Sequence, residues 1–176
     1  MAISSPEILI QLELIAAQKN CLKGIIIQPS LSSQFQWQVF LMPQSGVFKR
    51  NILTFLVDFD KFPQKVPHVI FQSGLFHPLI DPTNSLFDTS DFAIEWNQKN
   101  HVYSLLNYIY ESFVKIPILD RKNIPNAEAA KLLKEDLGKY TMKAISNLIT
   151  PNPSEQTQIN EPKFWNSSKE KLSFLL

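Results

Sequence analysis

The sequence predicts an α+β fold in which a helix is followed by a four-stranded antiparallel meander, a long ordered loop and C-terminal helices. Three observations predict it. Residues 5–18 carry apolar side chains at helical spacing. Residues 22–72 then run as short β-prone stretches broken by turn residues, and beyond residue 100 the period returns to three and four.

The first helix opens on Ser5, a residue type that caps N-termini, with Pro6 and Glu7 suited to the first turn. Its spacing places Ile8, Leu12, Ile15 and Ala16 on one face. Residues 22–27 form a β-branched run closed by Gln28, Pro29 and Ser30, and residues 35–41 alternate aromatic and aliphatic side chains with glutamine, as a half-buried strand does. Pro43, Gln44, Ser45 and Gly46 make a turn. Residues 48–59 read as a longer strand, with Ile52, Thr54, Leu56 and Asp58 on one side, Leu53, Phe55, Val57 and Phe59 on the other, and both faces covered at its centre. Residues 69–72 add the fourth strand, and the short turns between runs require antiparallel neighbours.

The stretch from 62 to 96 has no period of its own beyond that strand, yet Phe76, Phe87, Phe92 and Trp96 supply enough apolar surface to order it. Residues 101–114 then place Val102, Leu105, Leu106, Ile109 and Phe113 in a helical stripe wide enough to lie on a sheet, and Pro117 stops it. A second long helix is predicted from Asn126, a capping residue, to about Leu148, with Ala130, Leu133, Leu137, Tyr140, Ala144 and Leu148 spaced three and four apart. A polar tail follows, interrupted by Phe164 and Trp165 and ending in a helix-like run over 167–174. The expected organisation is one domain over 5–148 and an extension over 149–176.

Composition removes several function classes. With 17 basic and 16 acidic residues the net charge is +1, which gives no support to a nucleic-acid or anionic-membrane partner. A single cysteine excludes an intrachain disulfide and a multi-cysteine metal site. No apolar run approaches the roughly 20 residues of a membrane span and no leader pattern opens the chain, so a cytosolic or nuclear protein is expected. Four glycines form no phosphate-cradling loop. His68, His77 and His101 share no ligand spacing, and no cofactor or metal is expected. His77, in a His-Pro turn, is expected to bond loop backbone, Cys21 to be an inert thiol, and Asp58 and Asp60 to form a solvated strand end.

The central stretch carries a more specific pattern: Phe62-Pro63, then Pro67 ahead of Val69-Ile70-Phe71, then Phe76-His77-Pro78-Leu79, then Trp96. Joined to the order of elements, it resembles the ubiquitin-conjugating enzyme family. In that family an aromatic residue precedes a His-Pro-Asn triplet, the catalytic cysteine lies about ten residues beyond its histidine, and a tryptophan closes the active-site loop. The resemblance implies that Phe62, Pro63, Pro67, Phe76, His77, Pro78 and Trp96 hold the architecture. It also implies that the reactive positions are degenerate, because Phe87 stands where the cysteine is expected and Leu79 where the asparagine is. A thioester needs a thiolate, which a phenyl ring cannot replace, and leucine offers no hydrogen bond to an oxyanion.

The string from Phe76 to Thr83, together with Phe92-Ala93, the run from Asn126 to Ala130 and Phe164-Trp165-Asn166, is similar to the Fused Toes branch of that family, which takes in the Akt-interacting and crossbronx proteins. The polar N-terminal extension of vertebrate members is not expected here. The branch implies a non-catalytic adaptor that joins Hook-family proteins and a Hook-interacting protein in a complex linking vesicles to dynein. Such an adaptor would be cytoplasmic and peripheral to vesicle membranes or microtubules. A second reading keeps a binding role but changes the partner, to ubiquitin or an active conjugating enzyme. Tyr140, Ala144, Leu148, Phe164 and Trp165 are the candidate partner-binding residues, with packing onto the chain's own core as the alternative.

Overall fold

A computed structural model of the chain describes residues 5–71, 74–117 and 123–149. Helix α1 (Pro6–Asn20) begins with proline, which lacks the amide that a first turn leaves unbonded, and Ser5 occupies the N-cap position without a side-chain cap bond. Its buried face is Ile10, Leu14 and Ala17. The face predicted from spacing is the outer one: Ile8, Leu12 and Ile15 are 53%, 56% and 51% exposed. Both sets are spaced by four and then three residues, so periodicity could not choose between them. Tertiary packing decides, because α1 leans on β1 (Ile25–Pro29) and on α3, described below.

Strand β1 starts three residues later than expected, because Gly24 turns the chain out of α1 with φ +100 and carries no side chain. A Cβ there would lie 2.5 Å from the Met42 carbonyl, so only glycine fits. Strands β2 (Gln36–Leu41), β3 (Leu53–Asp58) and β4 (His68–Phe71) complete a four-stranded sheet in sequence order, antiparallel throughout. Register sets Ile27 beside Val39, Val39 beside Phe55 and Phe55 beside Phe71, all on the buried face.

β3 is shorter than the predicted 48–59. Residues 46–51 form turns in which Lys49 donates to the Gly46 carbonyl and Asn51 to that of Phe48, and Phe48 buries its ring edge-on to Phe113 from outside the sheet. The other side of β3 is only half-buried at Thr54, Leu56 and Asp58, so among the described residues no second layer covers it. Gln72, expected in the fourth strand, lies outside the described residues.

A four-residue helix, α2 (Ser90–Ala93), interrupts the long loop. Helix α3 (Val102–Val114) then buries Val102, Leu105, Leu106, Ile109 and Phe113, the stripe its spacing predicts. The predicted second long helix is two: α4 (Ala127–Glu135) and α5 (Leu137–Ile149), broken at Asp136. Asp136 leaves helical geometry and accepts the Lys139 amide at 3.0 Å on its carboxylate, capping α5 as aspartate commonly does. Those bonds hold its carboxyl below the ordinary range. Asn126 caps α4 by accepting the Ala129 amide at 3.0 Å. Among the described residues no helix is long and apolar enough to cross a membrane. The expected helix at 167–174 lies outside them.

Candidate functional site

The two ends of the stretch from Phe62 to Trp96 are tied to each other. The Phe62–Pro63 peptide is cis, and Phe62 packs edge-on to Phe59 at 5.4 Å between ring centroids. At the far end Trp96 donates its indole N–H to the Pro63 carbonyl at 3.1 Å and lies 6.3 Å from the Phe62 ring and 5.8 Å from that of Phe92. The aromatic residues therefore act as a clasp, and one directed hydrogen bond fixes its orientation. Pro67 is buried at the entry to β4.

Inside the clasp the chain turns at His77. The imidazole is 2% exposed; its Nδ1 accepts the Leu79 amide at 3.2 Å, which puts the ring proton on Nε2, 3.2 Å from the Ser112 carbonyl of α3. The Phe113 ring lies 4.4 Å away. Burial pushes the imidazole down to about 4, only partly offset by the bond to Ser112, so it is a neutral pin between loop and helix.

Beyond the turn the chain doubles back. Ile80 bridges Phe87, Leu86 bridges Ile70, the Phe87 amide donates to the Val69 carbonyl at 2.9 Å, and the Asp88 amide to that of Leu79 at 2.8 Å. The consequence is that Leu79 and Phe87 both point inward. Phe87 is 4% exposed, with its ring 6.1 Å from Phe71 and 6.2 Å from Tyr108.

The family model for ubiquitin-conjugating enzyme matches residues 9–148. The chain belongs to the ubiquitin-conjugating enzyme family. Among curated relatives it is similar to AKT-interacting protein of Homo sapiens, 29% identical over 160 residues that cover 88% of this chain and 53% of that protein. The Danio rerio AKT-interacting protein is likewise 29% identical, over 149 residues covering 82% of this chain and 50% of the relative. The chain thus spans about half the length of the curated relatives it matches. In structure it is similar to a putative ubiquitin conjugating enzyme from Plasmodium yoelii, with a TM-score of 0.69 at 20% identity, covering 85% of this chain and 98% of that one. At that identity the likeness establishes the ubiquitin-conjugating fold alone.

Within this ubiquitin-conjugating domain two of the expected partner-binding residues belong to the interior. Tyr140 and Ala144 are buried in the core, and Tyr140 donates its hydroxyl to the Phe76 carbonyl at 3.4 Å while its ring lies 5.8 Å from that of Phe76. The break at Asp136 turns α5 back onto the loop, which a continuous helix could not do. Lys143 completes the brace, 4.6 Å above the Phe76 ring and paired with Glu128 of α4. Leu148 is partly buried against the same core, and Phe164 and Trp165 lie outside the described residues.

An open polar cleft of about 450 Å³ borders Phe87, lined by His68, Asp81, Asn84, Asp88 and Asn123 among others. Its carboxylates shape local turns: Asp81 accepts the Thr83 amide at 2.7 Å and hydroxyl at 2.6 Å, which lowers its carboxyl, and Asp88 accepts the Ser90 amide at 2.8 Å and its hydroxyl. Among the described residues no group of three His, Cys, Asp or Glu could hold a metal ion. Cys21 closes α1, and burial pushes its thiol up to about 11, leaving it protonated at neutral pH. Asp58 accepts from Gln36 at 2.8 Å and from the Asp60 amide at 3.0 Å, a strand-end arrangement.

Ser112 and Asn126 carried no sequence signal for the loop. Ser112 serves it through its carbonyl, and the Asn126 backbone N–H donates to the Pro78 carbonyl at 3.1 Å, so both act through backbone groups that nearly any residue type would supply, proline at 126 excepted.

Proposed function

We propose that this domain is a non-catalytic member of its family and works as a protein-protein adaptor. The observation that carries the reading is the burial of Phe87, ten residues beyond His77, where the resemblance puts the nucleophile. A phenyl ring packed among Phe71 and Tyr108 offers no lone pair to a thioester carbonyl, and the buried Leu79 offers no donor to an oxyanion. The chain's one thiol is half-buried at the end of α1 and protonated at neutral pH. Meanwhile the clasp at Trp96 and the pin at His77 keep the loop rigid, and a rigid surface loses little entropy when it binds.

The adaptor joins a Hook-family protein and a Hook-interacting protein in a complex linking vesicles to dynein, and sits in the cytoplasm at vesicle membranes or microtubules. This follows the similarity to AKT-interacting proteins, themselves named for a protein-protein interaction. Two measurements test the reading. Incubation with activating enzyme, ATP and ubiquitin should give no reducible adduct; an adduct lost in Cys21→Ser would overturn the non-catalytic assignment. Affinity capture from cells should recover a Hook-family protein, and its consistent absence would overturn the specific partner.

A second reading, ubiquitin binding in support of an active conjugating enzyme, draws on the outer face of the sheet. There the exposed Ile26 sits beside Phe40, and Leu56 beside Ile70, the last three half-buried and none covered by another layer among the described residues. Titration of labelled ubiquitin with the protein discriminates: no chemical-shift change at millimolar concentration removes it.

A further inference from the structure

Beside His77, and sharing no lining residue with the polar cleft, lies a half-open hollow of about 340 Å³. It is walled by Val47, Phe48, Phe113, Leu133, Leu137 and Tyr140. Its polar side chains already have partners: His77 bonds the Ser112 carbonyl, the Ser112 hydroxyl that of Ile109, the Tyr140 hydroxyl that of Phe76, and Lys115 pairs with Glu111. Among the described residues the lining therefore leaves no buried polar side chain unpartnered, and its walls favour an apolar ligand. Leu137 and Ile116, both exposed, extend the apolar surface at its mouth. Its volume is at the small end of ligand pockets, about 300 to 1,000 Å³, which suits one aromatic side chain better than a cofactor.

The chain carries such a side chain at the right reach. From the hollow, α5 runs from Leu137 to Ile149, about 18 Å at 1.5 Å per residue. Trp165 lies sixteen residues past Ile149, and a chain of that length can span up to about 55 Å, so the roughly 18 Å back to the hollow is within its reach. Docking from the same chain is intramolecular, which favours it over an apolar group on a separate molecule.

We propose that Trp165 seats its indole in this hollow, with Phe164 against the mouth at Leu137, so that the C-terminal segment straps α5 onto the domain. The full chain labelled with 5-fluorotryptophan tests it. Three tryptophans give three fluorine resonances, and Trp165→Phe assigns one by removing it. The Trp165 line should stand away from its position in urea and be unchanged by dilution. It should move to the urea position in Leu137→Glu, a substitution at an exposed site that spares the core. A Trp165 line already at the urea position in the full chain overturns the proposal, as does one displaced but indifferent to Leu137→Glu. Displacement that fades on dilution also overturns it and assigns the hollow to a second copy.

Discussion

Glu13 and Val102 join the first helix to the third: the Glu13 Oε2 accepts the Val102 amide at 2.8 Å, while its Oε1 takes His101 Nδ1 at 2.9 Å. His101 stands at the N-cap of α3 without a side-chain cap bond of its own, so a carboxylate from 89 residues upstream does that work. Replacing it with alanine removes the acceptor from a partly buried amide. Glu13→Ala should cost about 1 to 2 kcal/mol in urea denaturation, and Glu13→Gln, which keeps an acceptor oxygen, clearly less. Equal losses would mean that the contact is packing rather than capping.

The pin at His77 makes stability depend on pH in a definite direction. Its folded value, about 4, is below the ordinary 6.5, so between the two the unfolded chain binds a proton that the folded chain refuses. Stability is fully present above about 6.5 and is lost as pH falls toward 4, by roughly 3 kcal/mol from this group. His77→Gln should be less stable at neutral pH but lose less between pH 7 and 4.5. Parallel curves for the two proteins would refute the assignment.

Phe87→Cys restores a thiol at the expected reactive position, yet it empties a ring's volume from the core. It should destabilise the fold by about 3 kcal/mol and form no thioester with ubiquitin, since Leu79 is unchanged. Thermal unfolding measures the first effect and the charging reaction the second. A thioester formed at ordinary rates would show that position 87 alone silences the site.

Trp96→Phe keeps an aromatic ring against Phe62 and Phe92 while deleting the N–H that reaches Pro63. A loss of about 1 kcal/mol is expected, against about 3 kcal/mol for Trp96→Ala, which removes the ring as well. If the two variants lost the same amount, the hydrogen bond rather than the ring would be what closes the clasp.

Much of the site was legible because its residues repeat local chemistry. A proline pair, a His-Pro turn and a distant tryptophan are visible as letters, and the resemblance they carry needs no coordinates. That Phe87 helps to order the loop was legible from its ring; that it packs between Phe71 and Tyr108 was not, since nothing in residues 79–88 says which side of the doubled-back strand faces β4. Tyr140 and Ala144 were misplaced for a related reason: their spacing fits a helix, but the turn at Asp136 decides what that helix faces. Asp136 three residues before Lys139 was the available signal, a capping aspartate inside an otherwise helical run.

The sequence alone determined the first helix, the four antiparallel strands in order and the α3 stripe, because periods of two and of three to four are set by backbone geometry and are written residue by residue. Only the tertiary structure decided which face of α1 is buried, where Glu13 finds its amide and how α5 braces Phe76. Those outcomes depend on surfaces that come together from opposite ends of the chain, and each apolar face is compatible locally with either water or core until its partner arrives.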